Sequence, residues 1–167
     1  MTTMATPSSN LEKELPVVDE QRLRDTYAEL KRMEVHLDPN PHLALVGLCP
    51  EADPWGFRSN AVVVLDRLDR GMTLWAWQDG ADQLMPGQLR DYLPIDRAPV
   101  QIGDRAGVQR LAHHNADGRS VTMAQWATVD GARGYTLTVS VSTLAYPHLV
   151  ETVAHIGASF QIAGVTQ

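Results

Sequence analysis

The stretch from residue 106 to residue 142 constrains this chain more than any other. It holds three extended segments separated by two junctions that each contain Asp-Gly. In residues 119–129, Val121, Met123, Ala127 and Val129 alternate with Thr122, Ala124, Trp126 and Thr128. In residues 134–142, Tyr135, Leu137, Val139 and Val141 alternate with Thr136, Thr138, Ser140 and Ser142. A period of two belongs to an extended backbone, which sends successive side chains to opposite faces, so each segment is a strand with one face in a core. Residues 106–113 precede them as a third strand. The turn Asn115-Ala-Asp-Gly118 and the pair Asp130-Gly131 supply the positive φ that tight hairpins need. The region is therefore predicted to be an antiparallel meander.

The rest of the chain supplies partners for it. Residues 42–48 are a short apolar run bounded by prolines, read as a buried strand, and residues 60–69 are a β-branched run, read as a central one. Residues 92–102 are extended but carry Pro94 and Pro99, which suits an edge strand or a strand with a bend. Residues 38–41 form a turn, and residues 50–59 a loop with Pro54 and Gly56. Three segments have helical spacing. In residues 19–32, Leu23, Tyr27 and Leu30 share a stripe and Asp19 can cap it. In residues 73–85, Leu74, Trp77, Ala81 and Leu84 recur at three and four, with the start near Thr73 and the end at Pro86-Gly87. In the last segment Tyr146, Leu149, Val150, Val153 and Ile156 form the stripe and Phe160 follows it into the core. Ser142 or Thr143 can cap its start, and Gly157 lies near its end. This order predicts an α+β sandwich. With 167 residues there is room for one domain. Residues 1–15 are read as a disordered tail and residues 16–164 as that domain.

Net charge is −6, which repels phosphate, so nucleic acid and anionic membrane surfaces are poor partners. No apolar run reaches the roughly 18 residues of a membrane span, and residues 1–15 lack the basic start and apolar core of a signal peptide. The expected location is the cytoplasm. The lone Cys49 cannot form an internal disulfide and reads as a small buried hydrophobe.

A search for chemistry assigns no catalytic residue, metal ligand or cofactor. The histidines are His36, His42, His113, His114, His148 and His155, with no HExxH spacing. Adjacent on a strand, His113 and His114 point to opposite faces. His148 and His155 flank the apolar stripe of the last helix. There is no GxSxG and no glycine-rich phosphate loop. Asp66 and Asp69, beside Arg67 and Arg70, read as a solvated strand end. The aromatic residues remain. Trp77 fits the middle helix's apolar stripe, whereas Trp75 falls off it, beside Gln78 and Asp82. Trp126 shares a strand face with Thr122 and Thr128, and Trp55 and Phe57 lie in the Pro/Gly loop. Exposed tryptophan is a common binding anchor. Trp55, Phe57, Trp75 and Trp126, with Thr136 and Thr138, are therefore the candidate partner-binding surface. The competing reading is that helices cover both sheet faces and Trp126 packs beneath one.

The segment Val100-Gln-Ile-Gly-Asp-Arg-Ala-Gly-Val-Gln-Arg-Leu111, then Gln125-Trp126, Arg133-Gly-Tyr-Thr-Leu-Thr138 and Ala158-Ser-Phe160, resembles the actinobacterial LpqN/LpqT group, which has the PsbP-like fold. Upstream, Gly56-Phe-Arg-Ser-Asn-Ala-Val-Val63 fits the same pattern, and the likeness runs over roughly residues 42–162. It implies an α-β-α sandwich around a twisted, mainly antiparallel sheet. Because this fold mostly hosts adaptors, accessory subunits and chaperone-like binders, it also implies a non-enzymatic role. Lipoproteins of the group carry a lipid-bearing cysteine near their start, a role that Cys49, well inside the domain, cannot fill. The chain thus looks like a cytoplasmic member of the group without a lipid anchor. The expected function is a non-enzymatic protein-binding module, an adaptor or chaperone-like accessory subunit with a protein partner and no cofactor. One alternative is a carrier of a small apolar molecule or lipid, held between the Thr/Ser sheet face and the middle helix. The other is an enzyme whose site would join His113 or His114 to a carboxylate.

Overall fold

The computed structural model describes residues 43–162. The expected tail at 1–15, the helix at 19–32 and the turn at 38–41 lie outside the described residues. Within them the chain forms β1 (Leu43–Leu48), β2 (Asn60–Arg67), α1 (Leu74–Gln88), β3 (Arg90–Ile102), β4 (Arg105–Ala116), β5 (Arg119–Asp130), β6 (Arg133–Ser142) and α2 (Tyr146–Ser159). The strands make one six-stranded sheet in the order β1-β2-β6-β5-β4-β3, every neighbouring pair antiparallel.

The hairpins follow from their turn residues. Between β4 and β5, Asp117 and Gly118 both take positive φ, 52° and 79°, and the Asn115 side chain accepts the Gly118 N–H at 2.8 Å. Two successive positive φ values are the type I′ pattern that matches strand twist. Between β5 and β6, Gly131 (φ 59°) holds the first central position, as Gly103 (φ 59°) does between β3 and β4.

The register separates the two faces. Trp126 stands opposite Leu137, and Gly134 opposite Val129. Residues 134 and 137 are an odd number apart on one strand, so they face opposite sides. A Cβ at Gly134 would meet the Trp77 ring of α1 at 2.6 Å. A Cβ at Gly157 of α2 would overlap the Trp126 ring. One helix therefore covers each face, and the molecule is an α-β-α sandwich. The main core lies on the α2 face, where Ala61, Val63, Ala124, Trp126, Leu137, Val139 and Val141 pack with Val153 of α2. β5 is central and covered on both sides, and its residues 121–128 are buried without interruption.

Several expectations are corrected. β1 is an edge strand among the described residues, with Leu48 exposed, because within them it has a paired neighbour on one side only. α1 starts as expected, with the Thr73 hydroxyl accepting the Ala76 N–H at 3.1 Å. It does not stop at Pro86-Gly87 but runs to Gln88. Proline keeps a helical φ and in this last turn removes only the bond to the carbonyl of Asp82. The inward stripe of α1 is also rotated. Leu84 is 61% exposed, while Gln78 is 2% exposed. In α2, Val150 is exposed. The N-cap is Ala145, with no side-chain cap, and Pro147 in the first turn lacks an N–H that would have been unmatched there anyway. Thr143 does not cap the helix; its hydroxyl instead bonds those of Ser120 and Thr122.

Gly157→Ala raises helix propensity, yet it is expected to destabilise the fold by about 1–3 kcal/mol because Trp126 occupies the space. Trp126→Ala is expected to cost about 3–5 kcal/mol. Urea unfolding of the two variants checks both, and a stabilised Gly157→Ala would show that α2 does not seat on Trp126.

Candidate functional site

The six residues read from the sequence as one surface do not come together. Trp126 is corrected to a core residue: it is 4% exposed beneath α2, at Gly157. Thr136 and Thr138 lie on the other face, opposite Ala127 and Gln125. Both are half-buried, and the Thr138 hydroxyl accepts a bond from Gln125 Nε2 at 3.0 Å. Trp55 and Phe57 sit in a tight loop whose Trp55 and Phe57 N–H groups both donate to Asp53 Oδ1 at 2.9 Å. The positive φ of Gly56, 78°, closes that loop beside the Arg119 guanidinium. Trp75 lies elsewhere, on the first turn of α1 with the Arg97 guanidinium 5.0 Å from its ring centroid. Along β4 the position opposite Arg119 is six residues from Arg110, about 20 Å of strand. The Trp55 loop and the Trp75 corner are therefore separate places.

Trp75 belongs to a site that the sequence reading did not assemble. On the α1 face, Arg97 of β3, Arg110 of β4, Gln125 of β5 and Thr138 of β6 stand in one cross-strand row. Arg110 is 3% exposed. Its Nη2 meets Asp82 Oδ1 at 2.6 Å and donates to the Gln78 carbonyl at 3.3 Å, and its Nη1 donates to Gln125 Oε1 at 2.9 Å. Arg97 Nη1 meets the other Asp82 oxygen at 2.6 Å and Asp79 Oδ1 at 2.8 Å. Asp82 thus bridges two guanidiniums, an arrangement that its position on the inner flank of α1 permits. The row was legible in part. Arg110 falls on the same strand face as the buried Val108 and Ala112, and a charge at an inward position calls for a buried partner.

Beside this network, between α1 and the edge strand β3, lies a cleft of about 380 Å³. Asp82, Arg97, Arg110 and Tyr92 line its inner part, and Pro86, Pro94 and Ile95 form apolar walls. The Tyr92 hydroxyl, Arg97 Nε and Nη2, and Arg110 Nε are shielded from water and have no hydrogen-bond partner among the described residues. Burial pushes the Tyr92 hydroxyl above its ordinary pKa of 10.0; nearby Arg110 opposes the shift and Asp82 adds to it. The His113 ring lies on the opposite face, 3.0 Å from the Thr122 hydroxyl. Among the described residues no cluster of His, Cys, Asp and Glu could hold a metal ion, and no helix is long and apolar enough to cross a membrane.

No family model matches the chain, and no curated protein matches its sequence. Solved structures match its fold. PA94, a protein of unknown function from Pseudomonas aeruginosa, is similar with a TM-score of 0.66 at 12% identity, covering 78% of this chain and 89% of that one. LpqN of Mycobacterium tuberculosis, involved in cell envelope biogenesis, gives 0.58 at 14% identity, covering 78% and 83%. The cyanobacterial PsbP of Synechocystis gives 0.55 at 13%, covering 78% and 80%. The fold is PsbP-like.

Asp82→Ala leaves the buried Arg110 without its carboxylate and is expected to cost about 3–5 kcal/mol. Asp79→Ala, at a carboxylate 59% exposed, is expected to cost less than about 1 kcal/mol. Equal losses in urea unfolding would contradict this division. Tyr92 ionises at higher pH folded than unfolded, so its titration leaves stability unchanged below pH 10.0 and lowers it as pH rises through the folded value. Tyr92→Phe is expected to flatten that alkaline decline, measured as melting temperature against pH.

Proposed function

We propose that this chain is a non-enzymatic protein-binding module, an adaptor or chaperone-like accessory subunit of the cytoplasm related to the LpqN/LpqT group. The observation that carries this reading is the Trp75 corner. Trp75 is 45% exposed, yet it stands on the first turn of a capped helix with Arg97 stacked against it. A large aromatic ring held rigid at the surface loses little entropy on binding, which is what makes tryptophan a frequent anchor. The cleft beside it, with Ile95 47% exposed on its wall, adds an apolar recess bordered by charged groups. That mixture of an apolar centre and a polar surround suits a protein surface. The cell-envelope role of LpqN belongs to that protein.

A second reading, a carrier of a small apolar molecule, is favoured by the cleft's volume, which falls within the roughly 300–1,000 Å³ of ligand pockets.

Trp75→Ala is expected to reduce recovery of the native partner at least tenfold from the host's soluble fraction while changing stability by less than about 1 kcal/mol. Quantitative mass spectrometry of paired wild-type and variant captures checks this. Unchanged recovery of every co-captured protein would overturn the Trp75 anchor. A stoichiometric small molecule in the purified chain would favour the carrier reading.

A further inference from the structure

We infer that the cleft between α1 and β3 receives a neutral backbone carbonyl from an apolar segment of the partner protein. This deepens the protein-binding reading and rests on it.

The unmatched groups define the ligand. Arg97 Nε and Nη2 and Arg110 Nε are donors only, and Tyr92 adds a hydroxyl. Asp82 and Asp79, the nearest carboxylates, are turned to the guanidinium nitrogens that already have partners. The site therefore lacks an acceptor. Arg110, more than nine-tenths buried, makes the deficit costly, because water does not reach its Nε either.

Charge selects among acceptors. Arg97 and Arg110 are already balanced by Asp79 and Asp82, and Asp96 on the cleft wall adds one negative charge. A carboxylate or phosphate entering here meets no net positive field, whereas a carbonyl oxygen accepts the same hydrogen bonds without the repulsion. The Pro86, Pro94 and Ile95 walls suit an aliphatic side chain. The volume of about 380 Å³ holds that side chain and the peptide groups flanking it.

The backbone supplies the means of entry. Tyr92 lies where the β3–β4 register slips between Arg90 and Leu93, and it follows Asp91, whose φ is 54°. A second slip lies between Pro94 and Asp96. Bulges re-aim side chains and cluster beside binding sites, and a non-glycine residue in the left-handed region stores strain that function can use. Tyr92 therefore stands where the ladder is interrupted, and entry to the shielded donors requires its side chain to move aside.

The test titrates the ¹⁵N-labelled full chain with N-acetyl-leucine N-methylamide, which is neutral, and with N-acetyl-leucine, which carries a carboxylate. The neutral probe is expected to shift the Nε–H resonances of Arg97 and Arg110 and the Trp75 indole N–H, and the carboxylate probe to bind several-fold more weakly. Tyr92→Phe is expected to weaken the neutral probe about five- to tenfold, the loss of one hydrogen bond. Its melting temperature should hold or rise, since an unmatched buried hydroxyl is removed. Unmoved arginine resonances, tighter binding of the carboxylate probe, or unchanged affinity in Tyr92→Phe would each overturn the inference. A chain that still loses its partner through Trp75→Ala but ignores the amide probe refutes this inference alone. A chain that binds the probe but keeps its partner in Trp75→Ala refutes the earlier reading, and with it the assignment of the carbonyl to a protein.

Discussion

A guanidinium shut away from water must be matched, and Arg110 is matched largely by α1. Asp82 supplies the carboxylate and Gln78 a backbone carbonyl, both from the helix, while Gln125 on the next strand supplies the third contact. With α1 lifted away, Arg110 would be left with Gln125 alone in the middle of a sheet. The helix needs the contact as much as the sheet does. Its residue buried most deeply is the polar Gln78, and its outer flank carries the exposed Leu84. An inward face of that kind gives a weak hydrophobic hold, so position comes from the ion network and from the fit of Trp77 over Gly134.

The two faces solve the same packing problem with different chemistry. Each seats a tryptophan against a glycine, Trp77 over Gly134 on one side and Trp126 under Gly157 on the other, because only a missing Cβ lets a large ring approach so closely. On the α2 face the surrounding residues are aliphatic and form the core. On the α1 face the row from Arg97 to Thr138 is polar, and valines continue it through Val62 to Val46. Face chemistry thus divides labour: one side holds the sheet together and the other holds charged groups beside an open cleft.

This division explains what could be read from the sequence. The meander was legible because Asp117-Gly118 and Gly131 set turn geometry locally and the alternation on either side reports face without reference to anything distant. The sandwich was legible because the helical stripes of residues 73–85 and 146–156 need surfaces to cover. The surface was not. Trp126 alternates with threonines, which reads as an outward face, but a central strand covered on both sides buries polar and apolar residues alike, and Thr122 and Thr128 are as buried as Trp126. Leu84 has the spacing of a core residue and is exposed, because α1 is turned to bring Asp82 to Arg110. That rotation is set by a pair 28 residues apart in the chain, which no local period can report. Trp75, off that stripe in the sequence, is exposed, and its ring lies over Arg97.

The edge position of β3 decides how anything can bind beside it. An edge strand invites another strand to add to its ladder, which is both a route to recognition and a route to aggregation. β3 is poorly suited to either. Pro94 and Pro99 lack the N–H that an added strand would use, and the two register slips over residues 90–96 interrupt the regular spacing of its outer groups. Main-chain pairing is thereby discouraged along the same stretch where the side chains of Tyr92, Ile95 and Arg97 turn to the cleft. What this edge offers instead is side chains: an apolar recess, an anchored indole and a set of donors without acceptors. The features that blunt the edge against self-association are those that shape the cleft, so the two have one structural origin.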